Sequence, residues 1–394
     1  MIYIFILIVL IFGSFFEGQM ERKRTRFIWY FAFIYMTALS AFGYRLGADM
    51  PAYIGEFDYY KTDISLSYLS SFHRRQPLWV FLCVGCKSLG GSFELLKIIQ
   101  AFFLNFCVFR FINNHSKNRL LGILFYYVMF YLHFNFNSLR SSIALSIFLL
   151  SYDYLLEKKY IKFYLFAVIS YFIHTSAIVL FLFPLLNLIK IKAEKVSSLT
   201  RVVFLISLSV IPVGYIVQEE ISSILLLLQA AGIVNYGESY FENDYYTGFA
   251  LSLAGMVEFV FTLLLYLYIV KDNAKRVANI NIEILLLYVL IFAVNTVFPI
   301  LYRLNDFISI IFVCAISNTV YSFKIKSFGN ALAKQLAMST IIIILNTYPL
   351  FVTTTQYHAR PIAQFYPYYS IFDKKISPER ERVWGDKEYI EYIY

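Results

Sequence analysis

Apolar runs of spanning length recur from Met1 to Val352, and they constrain this chain more than any other feature. A run of roughly twenty apolar residues is what a helix needs to cross the hydrocarbon core of a bilayer. Inside that core every backbone polar group must be bonded internally, so a series of such runs folds as helices. The residues are 60% hydrophobic and 20% aromatic, with a mean hydropathy of +0.65, a balance outside the range of soluble globular domains. The expected fold class is an all-α polytopic integral membrane protein. No repeat period and no long soluble insert is visible, so 1–352 reads as a single integral membrane domain.

The positive residues sort the loops. Arg22, Lys23, Arg24 and Arg26 follow the first run, and Arg110, Lys117 and Arg119 lie between two later ones. Lys158, Lys159 and Lys162, then Lys271, Lys275 and Arg276, then Lys324, Lys326 and Lys334 continue the series. Basic loops stay in the cytoplasm. The loop from Gln218 to Gly248 carries Glu219, Glu220, Glu238, Glu242 and Asp244 and no lysine or arginine, as an external loop does. The same rule places 44–76 and the tail 353–394 outside. It gives about ten full spans, with both termini on the non-cytoplasmic side. The net charge of +9 is spent on topology in this scheme, and nucleic acid is not an expected partner. Met1 to Phe16 has no basic leader and reads as a retained span.

Two segments break the pattern. Pro77 to Leu89 is too short to span and suits an interfacial or re-entrant half-helix. Phe163 to Leu188 is too long for one comfortable crossing, and both its flanks are basic. A broken hairpin with His174-Thr175-Ser176 at its apex resolves that conflict; one long tilted helix is the alternative. Cys83, Cys86, Cys107 and Cys314 all sit in apolar segments and read as core residues. No cofactor and no metal is expected from the residues, and neither a Walker loop nor a zincin or nucleophile-elbow motif is present.

The stretch Tyr44-Arg45-Leu46-Gly47-Ala48-Asp49-Met50-Pro51-Ala52-Tyr53 follows an apolar run that ends outside. Gly47 permits a tight turn, and Pro51 stops a helix from running through it. Arg140 and Arg303 stand at the outer ends of two other runs. Each arginine alone reads as a snorkelling anchor. Three at one face, one beside a carboxylate, suit a pyrophosphate, because arginine forks onto phosphate oxygens. Asp49 and His174 are the candidate catalytic groups. A carboxylate this close to an arginine is a weak base but a good orienter, whereas an imidazole titrates near neutrality. The lean is therefore toward His174 as base, with the two roles exchangeable.

Arg45-x-Gly47-x-Asp49-x-x-x-Tyr53, Asn137-x-x-Arg140 followed by Ala144, His174-x-Ser176-Ala177 and Arg303 together resemble the EpsG family of Wzy-type bacterial polysaccharide polymerases. The resemblance runs over most of the chain. One departure is Gln76-Pro77, where the family often has Glu-Pro. The resemblance implies a GT-C-like glycosyltransferase that joins repeat units of O-antigen, capsule or exopolysaccharide carried on undecaprenyl pyrophosphate. It implies no metal. It also implies Arg45, Arg140 and Arg303 at the pyrophosphate, with Tyr53 and Asn137 as further substrate contacts; Arg75, which with Arg74 reads as a lipid-surface residue, is a further candidate contact. The expected partners are the undecaprenyl-pyrophosphate-linked oligosaccharide and membrane lipid, with a chain-length regulator and a flippase as associated proteins. A ligase acting on another acceptor, or a lipid-linked oligosaccharide transporter that makes no bond, are the alternatives. A transporter would show related halves, and none is visible.

Overall fold

The computed structural model describes residues 2–17, 22–63, 65, 75–189, 191–230, 253–275, 280–296, 298, 301–322, 328–351 and 361–373. Most of the tail, much of the acidic loop 218–248, and Lys324 and Lys326 lie outside the described residues. The described residues are overwhelmingly helical and form no strand. Three helices are long and apolar enough to cross a membrane: Phe93–His115, Leu139–Leu156 and Tyr302–Ser322. Seven further apolar helical segments are shorter than that criterion. The chain divides into two compact units, 1–177 with 316–394, and 178–315.

The first unit begins with α1 (Ile2–Phe16) and α2 (Arg22–Ala41). Then come α3 (Met50–Tyr59), α4 (Pro77–Ser88) and α5 (Phe93–His115). Both α3 and α4 start with a proline in the first turn, where its missing N–H costs nothing. Helix α6 (Arg119–Tyr126) continues as two π-helical turns, Tyr127–Tyr131 and His133–Asn137. Helix α7 (Leu139–Leu156) packs on α5 and on α8 (Tyr160–Tyr171). Helix α2 packs on α5 and α1, and α1 also packs on α6. Apolar side chains remain outward along α1, α2, α5 and α8, among them Ile8, Phe12, Phe27, Ile34, Phe102, Ile161 and Leu165. Exposed apolar surface on this scale is that of a membrane protein.

The two ends of this unit differ in chemistry. At one end Arg119 Nε donates to Glu17 Oε1 at 3.0 Å, and its guanidinium lies 5.4 Å from the Trp29 ring centre. Nearby in sequence, His115 faces Asp153 at 3.3 Å. At the other end the turn after α2 meets the π-helical turns and the tail. Among the shorter segments, α8 ends at Tyr171, and His174 follows the break. After the break the chain runs as a 3-10 helix, Thr175–Leu182, before a short α9, Phe183–Ile189. The break was legible from the basic flanks, and the 3-10 form was not.

The second unit holds α9, α10 (Ala193–Ala230), α11 (Leu253–Ala274), α12 (Ile282–Asn295) and the first part of α13 (Tyr302–Ser322). Helices α10, α11 and α12 pack pairwise on one another. Their core is aromatic: Tyr288 stacks on Phe312 at 4.3 Å, and Tyr266 meets Phe312 edge-on at 4.6 Å. Asn273 ties α11 to α13 by donating to the Ala315 carbonyl at 3.0 Å. The rest of α13 and α14 (Phe328–Phe351) belong to the first unit.

Candidate functional site

The turn from Phe42 to Asp49 is held on two sides. Tyr44 N–H donates to the Tyr369 carbonyl at 2.8 Å, and Ile371 N–H donates to the Phe42 carbonyl at 2.9 Å. Gly43 and Ser370 thus form an antiparallel bridge. Gly47 N–H donates to the Gln364 carbonyl at 3.1 Å, and Ala48 N–H donates to Asn137 Oδ1 at 2.9 Å. The tail therefore grips one edge of the turn and the π-helical segment grips the other. Between these anchors Arg45 adopts φ +48°, a region that non-glycine residues enter rarely. Its guanidinium lies 5.5 Å from the Tyr44 ring centre.

Gly47 is required by space as well as by its φ of +96°. A Cβ there would stand 2.2 Å from the Phe136 carbonyl oxygen. The glycine lets the turn lie directly on the last π-helical turn.

Asp49 is the residue before α3, and Tyr53 N–H donates to its backbone carbonyl at 3.2 Å. Tyr53 is buried, packed edge-on against Trp79 at 5.7 Å. The Arg140 guanidinium lies 5.9 Å from its ring centre. Burial pushes the Tyr53 hydroxyl above the usual phenol range, and the Arg140 charge pulls it back in part. The hydroxyl is therefore a proton-bearing donor at neutral pH.

Arg140 sits in the first turn of α7, where a cation opposes the helix dipole. Its Nη1 donates to Gln76 Oε1 at 3.1 Å, and its Nε is buried without a hydrogen-bond partner. Gln76 is neutral, and among the described residues the guanidinium makes no direct ion pair, its other partner being the Tyr53 side chain. Arg75 is different. Its Nε and Nη2 both donate to Glu56 Oε1, with Nε at 2.7 Å, and Trp79 Nε1 donates to Glu56 Oε2 at 3.2 Å. Arg75 and Glu56 make a latch between the chain before α4 and α3. Glu56 was not foreseen from the sequence. Its only sequence signal is its place one turn after Tyr53, on the same helical face.

His174 is 7% exposed. Its Nδ1 accepts from Ser176 N–H at 3.3 Å, and its backbone N–H donates to the Ser170 carbonyl at 2.9 Å. In a neutral ring that arrangement leaves the proton on Nε2. Leu78 N–H donates to the Phe172 carbonyl at 3.1 Å, which ties the break to the segment that carries Gln76. The first unit therefore brings Arg45, Asp49, Tyr53, Arg75, Asn137, Arg140 and His174 to one end. Arg303 belongs to the other unit, at the start of α13, with its Nε 3.4 Å from the Tyr302 hydroxyl. No group of three or more metal-ligating side chains occurs among the described residues.

The model of the EpsG family matches residues 26–370. This chain belongs to the EpsG family. EpsG proteins are Wzy-like polymerases, so the chain is a polysaccharide polymerase-type membrane protein. No curated protein and no solved structure matches it. The matched region of this EpsG member takes in the turn, the latch, the His174 break and the tail residues that bridge to Gly43.

Proposed function

We propose that this EpsG protein transfers a growing glycan from undecaprenyl pyrophosphate to a hydroxyl of the next lipid-linked repeat unit. The observation that carries the reading is Arg140, a guanidinium with only neutral contacts, a buried unpartnered Nε, and a place beside the Arg45 turn. Such a group suits a ligand that brings its own negative charge. In the reaction the acceptor oxygen attacks the anomeric carbon, and the bond to the lipid pyrophosphate breaks. Negative charge then builds on the departing pyrophosphate, where Arg140 and Arg45 stabilise it.

The roles of the proton-moving groups follow from the ring of His174. Its Nδ1 is taken by Ser176 N–H, so Nε2 acts as a donor to substrate oxygen. Asp49 receives the acceptor proton. This exchanges the assignment favoured by sequence alone. Tyr53 and Asn137 support the site, one against Arg140 and the other under Ala48.

Purified protein supplied with lipid-linked repeat units is expected to produce a ladder of longer glycans. Asp49→Asn should slow ladder growth about 100-fold, and His174→Ala about tenfold. A parent protein that binds the units yet builds no ladder favours the transporter reading and ends this one.

The site is assigned to the periplasmic face of the inner membrane, because alternate loops carry the basic clusters. With half-buried Cys86 changed to serine and the other three cysteines buried, a cysteine at Ser370 should react with an impermeant thiol reagent in intact cells. One at Lys158 should not. The reverse pattern overturns the orientation.

A further inference from the structure

Helix α5 carries a charge that the proposed reaction does not use. Lys97 is 3% exposed in the first turns of an apolar helix of spanning length. Its Nζ donates to the Gly43 carbonyl and lies 5.4 Å from the Phe136 ring centre. No carboxylate pairs with it among the described residues. Gly43 is two residues before Arg45, and Phe136 is next to Asn137, which holds Ala48. The three groups are close-packed: a Cβ on Gly43 would stand 2.8 Å from the Phe136 ring. One ammonium thus joins α5, the arginine turn and the π-helical segment.

A neutral amide could bond the same carbonyl at a much smaller desolvation penalty. Ionisable groups inside membrane helices are rare and mark functional sites. Burial disfavours the charged form, the Phe136 face offsets part of that cost, and an anion bound at the turn favours the cation further. In a low-dielectric surrounding the field of the cation is weakly screened.

We propose that Lys97 is a positioning residue of the anion site: it fixes the turn that presents Arg45 and adds its positive charge to the attraction for pyrophosphate. The proposal rests on the pyrophosphate reading above. It goes beyond that reading by assigning the charge behind the turn.

The test is equilibrium binding of farnesyl pyrophosphate and farnesyl monophosphate to the purified full-length protein. Lys97→Gln keeps an N–H donor and removes the charge. It should bind farnesyl pyrophosphate about tenfold more weakly, with a smaller change for the monophosphate. Lys97→Arg keeps the charge and should stay within about threefold of the parent. Parental affinity in Lys97→Gln overturns the proposal. So does an equal loss for both ligands, which marks a merely structural residue. Should Lys97→Gln fail to fold, Lys97→Arg decides: parental affinity supports the assignment and a tenfold loss removes it. If the parent itself prefers neither ligand, the pyrophosphate reading has failed and this inference falls with it.

Discussion

Replacing Arg140 by lysine is expected to reduce glycan polymerisation at least ~100-fold while the protein still accumulates in the membrane. The substitution keeps the charge and removes the planar fork. Arg140 spends one arm on Gln76 and lays its guanidinium near the Tyr53 ring, with Nε buried and unpartnered. A lysine ammonium reaching Gln76 would leave nothing to aim a second donor at a phosphate oxygen. Arg75 supplies the contrast. Its charge is already matched by Glu56, so Arg75→Lys should loosen the α3–α4 latch and change polymer yield only a few-fold. The measurement is polymer length and amount in cells, normalised to protein level, for both variants side by side. Parental polymer from Arg140→Lys would show that the guanidinium is structural.

Gly47→Ala should abolish the ladder through geometry alone. The new Cβ would stand 2.2 Å from the Phe136 carbonyl oxygen and 2.7 Å from Asn137 Oδ1. Both are fixed groups, one backbone and one already bonded to Ala48. The φ of +96° adds strain for any residue with a side chain. Clash and strain together are expected to cost on the order of 3 kcal/mol, enough to peel the arginine turn from the π-helical segment. Gly90 separates the two effects. It also has positive φ, +77°, but a Cβ there would meet nothing within 4 Å. Gly90→Ala should therefore lose only about 1 kcal/mol and keep the ladder. Thermal unfolding midpoints and ladder assays on the two variants measure this. An active Gly47→Ala protein would mean that contact between the turn and Asn137 is dispensable.

Hydropathy and charge order are local properties of a chain, and they carried much of the architecture. Apolar runs predicted the helices, and the basic flanks of Phe163–Leu188 predicted an interruption where α8 stops at Tyr171. Glycine and proline around Arg45 predicted a turn between two helices, because their backbone limits act on one residue at a time. Partner choice is not local. The tail residues Tyr369 and Ile371 bond a turn more than three hundred positions earlier, and no periodicity announces such a pairing. The same holds for Glu56 with Arg75 and for Lys97 with Gly43. Neither Glu56 nor Lys97 stands out in the sequence. The π-helical turns before Asn137 add a further case, since one extra residue per turn leaves composition unchanged. Nor could spacing show that Arg303 belongs to a different compact unit from Arg45 and Arg140. The sequence by itself determined an apolar, helical, membrane-type chain with a turn at Arg45 and a break before His174. Only the tertiary structure decided which charges are matched, because matching depends on distances that packing alone sets.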